Sequence, residues 1–115
     1  MDKPDEATTL FAYGSLLDPV RREKIIERRI DTIPATLPDY ELGRAHYFYI
    51  CKHPGISTAG LLLLNLTQRD FQVLDRYEEI PRLYTREKVE VFDQSGYPVR
   101  CWVYLPTALV LTGKK

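Results

Sequence analysis

Thr58-Ala59-Gly60-Leu61-Leu62-Leu63-Leu64-Asn65-Leu66 places four consecutive leucines behind a glycine. A run of that length fits a strand buried on both faces, where side chains of either parity need apolar cover. Next, Thr67-x-x-Asp70 is a capping-box variant, with Asp in the place usually held by Glu or Gln. It opens a helix that carries Phe71, Leu74 and Tyr77 on one face. Pro81 stops that helix, since the residue before a proline is pushed out of helical geometry. Tyr84 to Phe92 ends in alternation, with Val89 and Val91 set against Lys88 and Glu90. Asp93-Gln94-Ser95-Gly96 reads as a hairpin turn, and Tyr97 to Leu105 returns as a strand with Val99, Cys101, Val103 and Leu105 on one side. The tail holds a short apolar run, Ala108 to Leu111, then polar or small residues from Thr112 to Lys115. Its pattern assigns no element.

Upstream, Leu10-Phe11-Ala12-Tyr13 is a buried strand that breaks off at Gly14. Asp18-Pro19 starts a helix expected over residues 19–30, with Asp as cap and Pro at its first position. Strand signals fill Asp31 to Ile50. Pro34 and Pro38 move the first part of that stretch to a sheet edge or irregular structure. Pro54-Gly55 marks a turn within Lys52 to Ser57. Five or six strands with two helices in 115 residues predict an α+β chain, a curved mixed sheet or small mixed β-barrel flanked by helices. It is expected to be a single domain spanning 1–115, with its core over about 8–106 and its ligand in the barrel mouth.

Composition narrows the function classes. Sixteen basic residues balance sixteen acidic ones, so no global field draws the chain to nucleic acid or a membrane surface. Arg21-Arg22 and Arg28-Arg29 have acids among them and read as solvated helix faces. Cys51 and Cys101 are too few for a disulfide scaffold, and Cys51, His46 and His53 lack metal-site spacing, so no metal is expected. Met1 to Thr9 is charged and has no apolar segment of the signal-peptide kind, and no run reaches the ~20 apolar residues that span a bilayer. The expectation is a reduced, soluble, cytoplasmic protein. Its oligomeric state is left open.

Chemistry has two places to reside. In Tyr13-Gly14-Ser15-Leu16-Leu17-Asp18 a glycine follows a buried strand, so the backbone can approach a ligand closely. Successive N–H groups there can form an anion-binding concavity suited to a carboxylate. An ordinary strand-to-helix turn fits the same residues, and the glycines of a dinucleotide fingerprint and the lysine of a P-loop are absent. The second place is Leu74-Asp75-Arg76-Tyr77-Glu78-Glu79-Ile80-Pro81. Glu78 follows Tyr77 near the buried stripe, where desolvation would raise its pKa and make it a useful acid or base. Asp75 and Glu79 share a more exposed face and repel, a cost relieved by Arg76 or Arg82.

The two segments together resemble the gamma-glutamylcyclotransferase-like family: Tyr13-Gly14-Ser15-Leu16 after a strand, then Leu74-Asp75-Arg76-Tyr77-Glu78-Glu79-Ile80-Pro81-Arg82-Leu83-Tyr84-Thr85-Arg86. The resemblance runs from about Leu10 to Leu105 and takes in Trp102-Val103-Tyr104. It implies a small mixed barrel with a cavity at one end, lined by the backbone of Tyr13, Gly14, Ser15, Leu16, Leu17 and Asp18, which holds a glutamyl α-carboxylate. It further implies Glu78 as the catalytic acid–base group, Tyr84 as a closing side chain, a small γ-glutamyl substrate, and neither cofactor nor metal. The activity so implied is acyl transfer within the substrate, giving 5-oxoproline and a free amine. A non-catalytic binding domain on the same fold is the alternative. Two departures stand out. Glu79 is a second acid where many relatives carry a small residue, and the chain stops soon after its last strand, which implies a more open cavity.

Overall fold

The four leucines divide between two cores. The described residues form five strands: β1 (Leu10–Ala12), β2 (Thr32–Arg44), β3 (Phe48–Leu63), β4 (Tyr84–Asp93) and β5 (Pro98–Pro106). They close into a barrel in the order β1-β3-β2-β4-β5, and β5 returns to pair with β1 in parallel. Leu62 points inward with Phe11, Tyr13, Leu37, Ile50, Val91, Val99, Cys101 and Val103. Leu63 points outward with Leu10, Ala12 and Tyr104, beneath the helices α1 (Pro19–Ile26), α2 (Gln68–Tyr77) and α3 (Ala108–Thr112). Alternate side chains therefore feed different cores, as a strand covered on both faces requires. The computed structural model describes residues 4–112. Met1–Lys3 of the charged N-terminal stretch, and residues 113–115 of the tail, lie outside it.

Gly60 sits where β3 crosses closest to β1. A Cβ there would stand 2.3 Å from the Ala12 carbonyl oxygen and 2.7 Å from the Phe11 ring, so only glycine lets the two strands meet. Helix α2 has the expected cap. Asp70 N–H donates to the Thr67 hydroxyl at 3.1 Å, and Thr67 N–H donates to the Asp70 carboxylate at 2.9 Å.

Several boundaries differ from the sequence reading. Helix α1 stops at Ile26 instead of running to residue 30, because Glu27 turns left-handed (φ 66°) and Ile30 drops into the helix-side core. Strand β2 is not at an edge. Its two prolines are accommodated because its ladder to β4 has only two rungs, Ala35 to Asp93 and Thr36 to Phe92, which Pro34 and Pro38 flank. Pro54-Gly55 does not reverse the chain. Pro38 faces Ser57 and Tyr40 faces Lys52, so residues 53–56 bulge from a continuous strand opposite Asp39, whose carboxylate accepts the Gly55 N–H at 3.0 Å. The reversal falls at Ala45–Tyr47, between β2 and β3. The unassigned Ala108–Leu111 run forms most of α3, with Val110 buried. Among the described residues, no helix is long and apolar enough to cross a membrane.

Candidate active site

One mouth of the barrel opens into a cavity of about 630 Å³, well inside the range of small-molecule sites. Tyr13, Gly14, Ser15, Leu16, Leu17, Asp18, Glu78 and Tyr84 all line it, so the structure gathers the residues named from the sequence around one space. Strand β1 delivers the loop. Gly14 is required there by close approach, since a Cβ would meet the Phe48 Cβ at 2.9 Å. Ser15–Leu17 form a single 3-10 turn, closed by Leu17 N–H to the Gly14 carbonyl at 3.0 Å and Asp18 N–H to the Ser15 carbonyl at 3.3 Å. Asp18 then caps α1 through Val20 N–H at 3.0 Å. Ser15 Oγ and the Tyr77 hydroxyl lie 2.9 Å apart, tying the loop to the last turn of α2.

That last turn delivers Glu78, whose N–H donates to the Leu74 carbonyl at 2.8 Å. Burial raises its carboxyl from 4.5 to about 7. Desolvation is the cause of that shift, and the three buried phenols around the cavity donate elsewhere. Tyr13 OH donates to the Tyr104 carbonyl, Tyr84 OH to the Phe48 carbonyl, and Tyr104 OH to Asp75 Oδ1 at 2.7 Å. Burial holds all three phenols above their ordinary value, and the nearby Glu78 charge adds to it. Glu78 is thus a carboxyl facing a cavity with no hydrogen-bond partner for its side chain among the described residues.

The neighbouring acids are spoken for. Glu79 is left-handed (φ 54°), half-exposed, and accepts from Arg82 at 2.6 and 3.2 Å. Asp75 is not the solvated acid the sequence suggested. Arg86 clasps it through two bonds of 2.9 and 3.1 Å while stacking between the rings of Phe71 and Trp102, at 4.5 and 4.4 Å. Lining residues that the sequence reading did not place at the site include Arg21, Arg44, His46, Tyr47, Phe48, Tyr77 and Tyr104. Four of them cluster in Arg44-Ala45-His46-Tyr47-Phe48, at the tip of the β2–β3 hairpin. That crowding of cations and aromatics around a chain reversal was the available signal. Arg44 lies 4.8 Å over the Phe48 ring.

A closed five-stranded barrel with three α-helices among the described residues and a pocket at one mouth defines the fold class. Within that class, the chain belongs to the gamma-glutamyl cyclotransferase, AIG2-like family, whose model matches residues 10–114. A Methanocaldococcus jannaschii protein, named a gamma-glutamylcyclotransferase and proposed RNase, is 28% identical over 99 residues. The match takes in 84% of this chain and 45% of that protein, so the chain spans less than half the length of this relative. Among solved structures, an Arabidopsis thaliana protein superimposes with a TM-score of 0.80 at 23% identity, over 88% of this chain and 69% of its own. A structure named gamma-glutamyl cyclotransferase gives 0.78 at 23% identity, over 87% and 66%. An AIG2-like protein of Mus musculus gives 0.68 at 20% identity, over 88% and 77%. At these identities the structural likenesses establish the fold.

Proposed function

We propose that the chain cyclises the γ-glutamyl group of a γ-glutamyl amine or peptide to 5-oxoproline and releases the free amine. One observation carries the reading: a partnerless carboxyl, raised to about 7, in the wall of the cavity that the Tyr13–Asp18 loop also lines. Family membership supplies the reaction class.

The nucleophile belongs to the substrate, so the protein's task is positioning and proton transfer. The Tyr13–Asp18 backbone holds the α-carboxylate and bends the glutamyl chain until its α-nitrogen faces the γ-carbonyl carbon. Glu78, as carboxylate, takes a proton from the α-ammonium, and the freed amine attacks. The new C–N bond closes the five-membered ring and leaves a tetrahedral oxyanion. As the oxyanion collapses, the original C–N bond breaks and Glu78 returns its proton to the departing nitrogen. The second proton shed by the ring nitrogen passes to the released amine, which leaves as an ammonium. A group titrating near neutrality can serve in both directions, a contribution of roughly 10²–10⁴ in rate.

Glu78→Gln is expected to keep the fold and abolish 5-oxoproline release from a panel of γ-glutamyl compounds, read by mass spectrometry, whereas Glu79→Gln retains most of it. Full activity in the Glu78 variant on any turned-over compound would sink the mechanism. The acidic limb of kcat/KM against pH is expected to rise with an apparent pKa near 7, the free-enzyme value of the base.

A further inference from the structure

Arg22 is the buried charge for which this mechanism has no use. It lies in the first turns of α1 and is only 5% exposed. Its Nη1 donates to the carbonyls of Leu16 and Leu17, at 3.0 and 3.4 Å, while its buried Nε has no partner. Every other buried or half-buried cation of the helical side has an acid: Arg86 has Asp75 and Arg28 has Asp70. No described carboxylate lies within ion-pair distance of Arg22. A guanidinium kept out of water without a counter-ion is costly, and chains ordinarily pair it or replace it with an apolar residue.

We infer that Arg22 is a positioning residue for the carboxylate of the ligand, a role that rests on the reading above. Its two acceptors belong to the loop assigned to that carboxylate. By holding the Leu16 and Leu17 carbonyls against α1, Arg22 fixes the peptide planes of the 3-10 turn with their oxygens turned toward it. Its charge sits behind the cavity wall, 3.0 Å from the carbonyl oxygen of Leu16, itself a lining residue. There, in a partly desolvated site, a positive charge with no described carboxylate within ion-pair distance favours an anion in the loop. The missing counter-ion is the ligand's own α-carboxylate.

The decisive quantity is a preference ratio, measured by calorimetry. It is the Kd of γ-glutamyl-alanine with its glutamyl α-carboxylate changed to a carboxamide, divided by the Kd of γ-glutamyl-alanine itself. The wild-type ratio is expected to be at least about tenfold. Arg22→Lys keeps the charge and is expected to preserve the ratio within about threefold. Arg22→Gln still donates to a loop carbonyl but lacks the charge, and is expected to cut the ratio at least fivefold. Its effect should fall on KM for γ-glutamyl-alanine, with kcat within about threefold. Arg22→Met fills the same volume and replaces the glutamine variant should that one not fold. A wild-type ratio near one overturns the inference. So does a ratio that the uncharged variants leave intact, or equal weakening of both ligands, which is what a merely structural arginine would give. A charge-dependent ratio without 5-oxoproline release sinks the proposed reaction and leaves the role of Arg22 standing. Turnover with an unaltered ratio does the reverse.

Discussion

Asp75, Glu78 and Glu79 share one short stretch of chain and meet three different electrostatic fates: a clasped ion pair, an unpartnered desolvated carboxyl, and a half-exposed pair with Arg82. The middle fate has a stability consequence whose sign is fixed. The folded Glu78 carboxyl binds its proton more tightly than the unfolded one, about 7 against 4.5. Below 4.5 both states are protonated and burial carries no ionisation penalty. Between the two values the unfolded state ionises first and stability falls; above 7 the whole penalty is present. A gap of that width is on the order of 3 kcal/mol. Glu78→Gln should therefore raise the unfolding free energy by up to about 3 kcal/mol at pH 8.5 and by little at pH 4, measured by urea denaturation at both. Equal effects at the two pH values would mean that Glu78 is not desolvated. Glu79→Gly relieves a left-handed backbone and removes an exposed ion pair, so stability should move by less than about 1 kcal/mol with turnover kept. At this scale the helical phase of Tyr77 was enough to place Glu78 at the edge of the core. The partners of Asp75 were not legible, because Arg86 and Tyr104 arrive from other strands and no local pattern encodes them.

Helix α2 was read almost whole because its signals are local: a cap, a three-residue apolar rhythm and a proline beyond its end. The cap also reaches across the fold. Buried Asp70 accepts from Thr67 N–H and from Arg28. Burial pushes its carboxyl up, but Arg28 and the Thr67 donors outweigh that and hold it below the ordinary range. Thr67→Ala should cost about 1 kcal/mol and Asp70→Ala about 2 kcal/mol, since the latter also removes the Arg28 bond. Thermal melts at pH 7 would order the two variants, and the reverse order would make the Arg28 contact idle. The elements that were misread fail for one physical reason. Prolines in β2 are local breakers overruled by pairing with β3 on the strand's far side, and Pro54-Gly55 is absorbed as a bulge because β2 and β3 pair on either side of it. Helix α1 shows the converse, ending where Ile30 is drawn into a distant core.

For the molecule as a whole, strand count predicted a curved mixed sheet or small barrel flanked by helices and the family resemblance implied the barrel, which the structure bears out. The parallel pairing of β1 with β5 that closes it leaves no trace in either segment. Closure can be tested at Gly60. Gly60→Ala puts a methyl into the Ala12 carbonyl and should cost 3 kcal/mol or more, about the upper end for overpacking, with loss of soluble protein at 37 °C. A soluble variant with an unchanged melting temperature would mean that β1 and β3 have room to part. The same closure sets a timetable for synthesis. Strand β1 leaves the ribosome long before its parallel neighbour β5, which begins only at Pro98. At 5–20 residues per second, that side of β1 waits roughly 5–20 s for its partner. Throughout that interval a three-residue apolar edge, Leu10–Ala12, is available to any other strand, so the nascent chain is at its most vulnerable just before it becomes a barrel.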